Sequence, residues 1–276
     1  MTAPDNALTS SASAGLGRAA GAAPFVPVET VPPGPEGGPG GLGDVVLLCD
    51  HARNAVPPEL DLGLPASEMA RHIAWDVGAR GLTLGLAERL GAGAVLSTYS
   101  RLVIDPNRGE DDPTLVMKLY DGTIIPGNRY ADEAEIARRR DTYYRPYHRA
   151  VTAAIDAVEA RGGLPALISI HSFTPQLRGR APRPWHVGLL WDRDDRLFRP
   201  LMAALEAEGD LVVGDNEPYT GALANDCLNR HGTGRGLPHI LIEIRNDLIA
   251  DAAGQAAWAA RLEGPLRASI VALTGP

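Results

Sequence analysis

Along the chain, short apolar runs alternate with segments whose apolar residues recur at helical spacing. Runs of strand length lie at residues 45–49, 94–98, 102–104, 166–170, 186–191, 211–213 and 239–244. Between them, Ala79, Leu82, Leu86 and Leu90 share one face of a predicted helix, and Gly91 stands where a left-handed C-terminal cap belongs. Tyr144, Tyr147, Val151, Ile155 and Val158 make a second stripe, which ends before Gly162-Gly163. Pro146 inside that stretch predicts a kink or a fresh helix start. Trp258, Leu262, Leu266 and Ile270 make a third. The strands are continuously apolar rather than alternating, which implies burial on both faces. The expectation is an α/β fold, a mainly parallel sheet with helices on each side.

This pattern starts abruptly at Asp44. Residues 1–43 hold 7 Pro and 9 Gly, with Ala and Ser filling much of the rest. Such a segment has little apolar area to offset the entropy of ordering, so a disordered tail over 1–43 and a single catalytic domain over 44–276 are expected. Charge narrows the partners. With 26 basic and 34 acidic side chains the formal net charge is −8, which argues against nucleic acid or an anionic membrane as a ligand. Two cysteines, Cys49 and Cys227, are too few for a disulfide framework, and no basic stretch precedes an apolar core at the N-terminus. Both point to a reducing, cytoplasmic setting.

In parallel sheets, functional groups gather beyond the carboxyl ends of the strands. Three apolar strands here run straight into polar residues that a plain core would not need. The first ends in Asp50-His51-Ala52-Arg53-Asn54, the second in His171-Ser172-Phe173, and the third passes through Glu243 to Arg245-Asn246. Asp76 stands at a predicted helix start. Taken singly, each has a plainer role: a turn cap for His51, an N-terminal helix acid for Asp76, an arginine ion pair for Glu243. Together, two histidines and two acids at one sheet edge have the composition of a hydrolytic metal site, with three ligands, an open position and a carboxylate base. His72, His148 and His186 are expected to be structural. Arg101 and Arg108, flanking a short apolar run with Asn107, suit a carboxylate ligand, or else surface ion pairs with Glu110, Asp111 and Asp112. The glycine-rich stretch 232–236 lacks a P-loop lysine and reads at best as a mobile substrate loop.

The segments 49–57, 72–79, 100–108, 169–175 and 234–248 resemble, in order, the N-formylglutamate amidohydrolase family. The resemblance implies a three-layer α/β/α, phosphorylase/hydrolase-like fold and zinc-dependent cleavage of an N-formyl amide, the last step of one histidine-degradation route. Zinc carboxypeptidases and N-acetylmuramoyl-L-alanine amidases belong to the same superfamily. Mapped onto the amidase pattern, the zinc ligands are His51, Asp76 and His171, with Glu243 as the proton-transferring carboxylate. Asp76 stands where the amidases have glutamate, and Asn54 stands where carboxypeptidases have their acid, which leaves Asn54 for substrate. In the mechanism expected from these residues, Arg101 or Arg245 helps stabilise the oxyanion, and Arg108 with Asn107 binds a substrate carboxylate. Another N-acyl amino acid or a small peptide is the alternative substrate, and a non-catalytic carboxylate binder the remaining one.

Overall fold

The computed structural model describes residues 24–34 and 42–273. In chain order the strands are β1 (Val28–Val31), β2 (Val45–Cys49), β3 (Gly93–Ser97), β4 (Leu119–Tyr120), β5 (Thr123–Ile124), β6 (Ala166–Phe173), β7 (Val187–Leu190), β8 (Val213–Asp215) and β9 (His239–Arg245). The α-helices are α1 (Ala66–Met69), α2 (Ala79–Leu90), α3 (Glu133–Arg139), α4 (Arg145–Ala160), α5 (Phe198–Glu206), α6 (Cys227–His231) and α7 (Ala252–Leu273).

Seven strands form one sheet in the order β1-β3-β2-β6-β9-β7-β8, and β4 pairs with β5 in a separate hairpin. β2 runs parallel to β3 and β6, and β6 parallel to β9, whereas β1 and β7 meet their inner neighbours antiparallel. Alternate residues of each strand feed two cores. Val45, Leu47 and Cys49 pack with α2, α5 and α7 on one face, and Val46 and Leu48 pack with Tyr147, Val151 and Ile155 of α4 on the other. That is the expected three-layer α/β/α sandwich. Pro146 sits in the first turn of α4, where its missing N–H costs nothing, so the helix restarts there after α3 and a π-helical turn over Arg140–Tyr144.

Three sequence expectations change. Residues 102–104 are not a strand. They are fully buried in a third apolar cluster with Tyr99, Tyr143 and Tyr144, and side chains rather than a neighbouring strand satisfy their backbone. Asn128 Nδ2 donates to the Leu102 carbonyl (2.7 Å), and Arg139 Nη1 to that of Val103 (2.9 Å). The strand expected at 211–213 lies instead at β8. Within the segment expected to be a tail, Val28–Val31 is an edge strand on β3, held also by Glu29 through Arg80 Nη2 (2.6 Å). Four residues sufficed because the sheet edge supplies the partners that a Pro-rich segment cannot supply itself. Residues 1–23 and 35–41 of that segment lie outside the described residues. No helix among the described residues is long and apolar enough to cross a membrane.

Candidate active site

Because β2, β6 and β9 are adjacent and parallel, their carboxyl ends open on the same side. Register places His171 of β6 directly beside Glu243 of β9, and His51 follows the last residues of β2 one strand away. Asp76 arrives from the loop before α2, its N–H donating to the His51 carbonyl (3.0 Å). Two residues later Gly78 takes a left-handed φ of +82°, and a Cβ there would lie 2.0 Å from the Ile249 carbonyl oxygen. Only glycine allows the turn that brings Asp76 in and starts α2.

The two imidazoles are fixed by carboxylates on their far sides. His51 Nε2 is 2.7 Å from Asp105 Oδ1, and His171 Nε2 is 2.9 Å from Asp50 Oδ2. Tyr147 and Ser169 hydroxyls in turn donate to Asp50. With each Nε2 serving its carboxylate, both Nδ1 atoms aim at one oxygen, Asp76 Oδ2, at 3.3 Å from His51 and 2.8 Å from His171. His51, Asp76 and His171 thus offer three buried ligand atoms within 4.8 Å of one another, and His51 Nδ1 has no hydrogen-bond partner. Two nitrogen lone pairs converging on a carboxylate oxygen require a positive charge between them. The carboxylate–histidine arrangement behind them is the one that orients imidazole for a cation. These residues therefore fit a divalent metal.

The electrostatics agree. Burial pushes the Asp76 carboxyl up, but the His51 and His171 rings outweigh it and hold it well below the carboxylate range. Burial likewise pushes His171 down, yet hydrogen bonds to Asp50 and Asp76 raise it well above an ordinary histidine, so a proton occupies the place a cation would take. Glu243 is the opposite case, its burial outweighing the opposing charges of His171, His51 and Arg101. It is 6% exposed, its Oε2 is unpartnered, and burial, reinforced by the Asp76 charge, pushes its carboxyl up to about 7. A carboxyl poised near neutrality can take and return a proton.

These groups line a cavity of about 350 Å³. Arg101 and Arg108 reach it as expected. Arg101 donates through Nε and Nη2 to Asp105 Oδ2 (3.0 and 2.7 Å), with Nη1 3.7 Å from Asp76 Oδ1. Arg108 bonds the Thr114 hydroxyl and the Asn107 carbonyl rather than a carboxylate. Asn107 also lines the cavity, its Oδ1 accepting the Cys227 N–H (3.1 Å). Asn54 and Arg245 do not line it. Asn54 caps the end of α1 through the Met69 carbonyl (2.8 Å), and Arg245, the last residue of β9, pairs with Asp247 (2.8 Å). The 232–236 stretch is no substrate loop either, since Arg235 is tied to Asp156 and Glu159 on α4. Conversely His72, expected to be structural, faces the cavity together with Tyr120, Tyr219 and Asp226. Asp50 and Asp105 were also missed as working residues. Each is a fully buried aspartate, and each lies in a segment that carries the family resemblance, 49–57 or 100–108.

Comparison with known proteins decides the family. The N-formylglutamate amidohydrolase family model matches residues 43–250. The chain belongs to this family and is a hydrolase. The N-formylglutamate deformylase of Pseudomonas aeruginosa is 31% identical over 204 residues, 68% of this chain and 74% of its own. Among solved structures, a gene product of Agrobacterium tumefaciens is similar with a TM-score of 0.83 at 34% identity, over 90% of this chain and 96% of that one. The N-formylglutamate amidohydrolase of Ralstonia eutropha JMP134 shares the fold, with a TM-score of 0.67 at 22% identity, over 91% of this chain and 100% of that one.

Proposed function

We propose that this amidohydrolase cleaves N-formyl-L-glutamate to formate and L-glutamate, with zinc held by His51, Asp76 and His171. The observation that carries the reading is the aim of two buried Nδ1 atoms at one Asp76 oxygen, beside an unpartnered Glu243. Two nitrogens and a carboxylate oxygen suit zinc with an open coordination position. When bound, such a cation lowers the pKa of water and polarises a carbonyl. Glu243 accepts a proton from the attacking water and passes it to the departing amine nitrogen. Asp105 and Asp50 keep both rings turned toward Asp76. Arg101, neutralised by Asp105, holds that carboxylate in place, and Arg108 is the guanidinium free to clamp a substrate carboxylate. A cavity of about 350 Å³ suits an amino-acid-sized substrate. The two free cysteines, both buried, suit a reducing cytoplasm.

The test is turnover by zinc-loaded enzyme on N-formyl-L-glutamate, N-formyl-L-glutamine and N-acetyl-L-glutamate, with His171→Ala as the metal-loss control. The formyl-glutamate should be hydrolysed fastest. Faster cleavage of the acetyl compound would move the acyl preference, and undiminished metal content in His171→Ala would remove that residue from the ligand set.

A further inference from the structure

Behind the site, on the other side of Asp50, lies a second convergence of metal-ligating side chains. Cys227 and His231 are four residues apart on α6 and so share one helical face, and His148 meets them from α4. Their ligand atoms lie within 4.8 Å of one another, and all three residues are buried. The His148 and His231 rings stack, with Nδ1 of the first 2.9 Å from Nε2 of the second. That pairing satisfies one nitrogen of each and leaves His148 Nε2 buried without a partner.

We propose that His148, Cys227 and His231 form a second site, one that binds a divalent transition-metal ion of the zinc class. Two imidazoles and a thiolate are a borderline-soft donor set, which selects zinc, cobalt or copper over magnesium or calcium. Tetrahedral bonds of about 2.0–2.3 Å place ligand atoms about 3.3–3.8 Å apart, inside the observed spread, so small side-chain rotations suffice. Metal binds each imidazole through a neutral ring nitrogen, and Arg230 is the residue before His231. His148 and His231 also line an open cavity of about 700 Å³, which provides entry and room for a water as fourth ligand.

Arg230 is a counter-argument, because its charge opposes a cation nearby. It makes the thiolate indispensable. Cys227 is fully buried, and the form of a cysteine that binds metal is the thiolate. Binding therefore breaks the S–H bond, forms a sulfur–metal bond and releases one proton to solvent, and the new negative charge offsets Arg230. The same side chain feels the charge of Asp50, the carboxylate that holds the His171 ring. The second site is thus one side chain away from the orientation of a first-site ligand.

Cobalt(II) added to the reduced, metal-free full-length protein tests this. The cluster of His51, Asp76 and His171 contains no sulfur, so a thiolate-to-cobalt charge-transfer band in the near ultraviolet reports the second site alone, whether or not the first carries metal. The band should appear, persist in Cys49→Ser and vanish in Cys227→Ser. His231→Gln should weaken cobalt binding by at least about tenfold, as expected for loss of a ligand. Absence of the band in the wild-type protein, or its survival in Cys227→Ser, would overturn the proposal. The wild-type spectrum decides even if a variant fails to fold.

Discussion

Replacing Glu243 by glutamine keeps the shape of the side chain and removes its charge, which isolates the cost of burying that carboxylate. In the metal-free protein Oε2 has no hydrogen-bond partner, and burial lifts the carboxyl from 4.5 to about 7. At about 1.36 kcal/mol per pH unit this amounts to about 3 kcal/mol of preference for the neutral form. The sign follows from linkage. Between about pH 4.5 and 7 the folded protein holds a proton on Glu243 that the unfolded chain has lost, so stability falls as pH rises through that window. Below it the two states are protonated alike. Glu243→Gln lacks the penalty, so metal-free variant and wild type should differ little in charge-linked stability near pH 4.5. The variant should gain about 3 kcal/mol relative to wild type by pH 8. Urea unfolding of chelator-treated proteins at several pH values measures this, and other titrations cancel to first order in the difference. Zinc should shrink the gap, since a cation beside Glu243 favours its carboxylate. A stability difference that does not change with pH would refute the reasoning. Turnover should fall by at least about 10²-fold in the same variant if Glu243 carries the proton as proposed.

Other outcomes follow from the same geometry. Asp105→Asn removes the charge behind His51 and should weaken zinc affinity about 10–100-fold in competition with a chromophoric chelator, while the protein stays folded. Arg108→Ala should raise KM for N-formyl-L-glutamate and narrow its preference over amidated analogues, whereas equal losses on both would place the clamp elsewhere. Arg245→Ala, which removes a partly exposed ion pair with Asp247 and a long bond to the Trp185 carbonyl, should change stability by less than about 1 kcal/mol and leave kcat unaltered. A chain beginning at residue 44 loses β1 and the Glu29–Arg80 bridge and should unfold at visibly lower urea, by roughly 2–4 kcal/mol from lost ladder hydrogen bonds and apolar cover; an unchanged midpoint would show that the edge strand contributes nothing.

Much of this was legible in the chain because strand-end polarity and apolar continuity are local signals. His51, His171 and Glu243 each interrupt a run that a core alone would have kept apolar, and the sheet order β2-β6-β9 then brings them together. Asn54, after β2, and Arg245, the last residue of β9, carry the same local signal, yet they fall outside the cavity. Their side chains are taken by the Met69 carbonyl and by Asp247. Residues 102–104 failed for a related reason. An apolar, partly β-branched run reads as a strand, but Asn128 and Arg139, distant in sequence, had already satisfied its carbonyls. The β1 strand was hidden among prolines because its partners belong to β3, not to its own segment.

Asp50 and Asp105 explain why the site needs more than its three candidate ligands. A histidine at a strand end can turn either ring nitrogen outward, and burial alone does not choose between them. Asp50 and Asp105 take Nε2 of His171 and His51 respectively, which commits both Nδ1 atoms to the same point. Each aspartate is itself held. Asp50 accepts from Tyr147 and Ser169, and Asp105 accepts from Arg101 and the Asn107 N–H. Four charges buried this closely would be costly without such partners. Arg101 therefore acts on both sides at once, neutralising Asp105 while lying 3.7 Å from Asp76. The residue that looked from its motif like a substrate clamp is better placed to hold the charge balance of the centre, and Arg108, with no carboxylate of its own to bind, is the arginine left for a ligand.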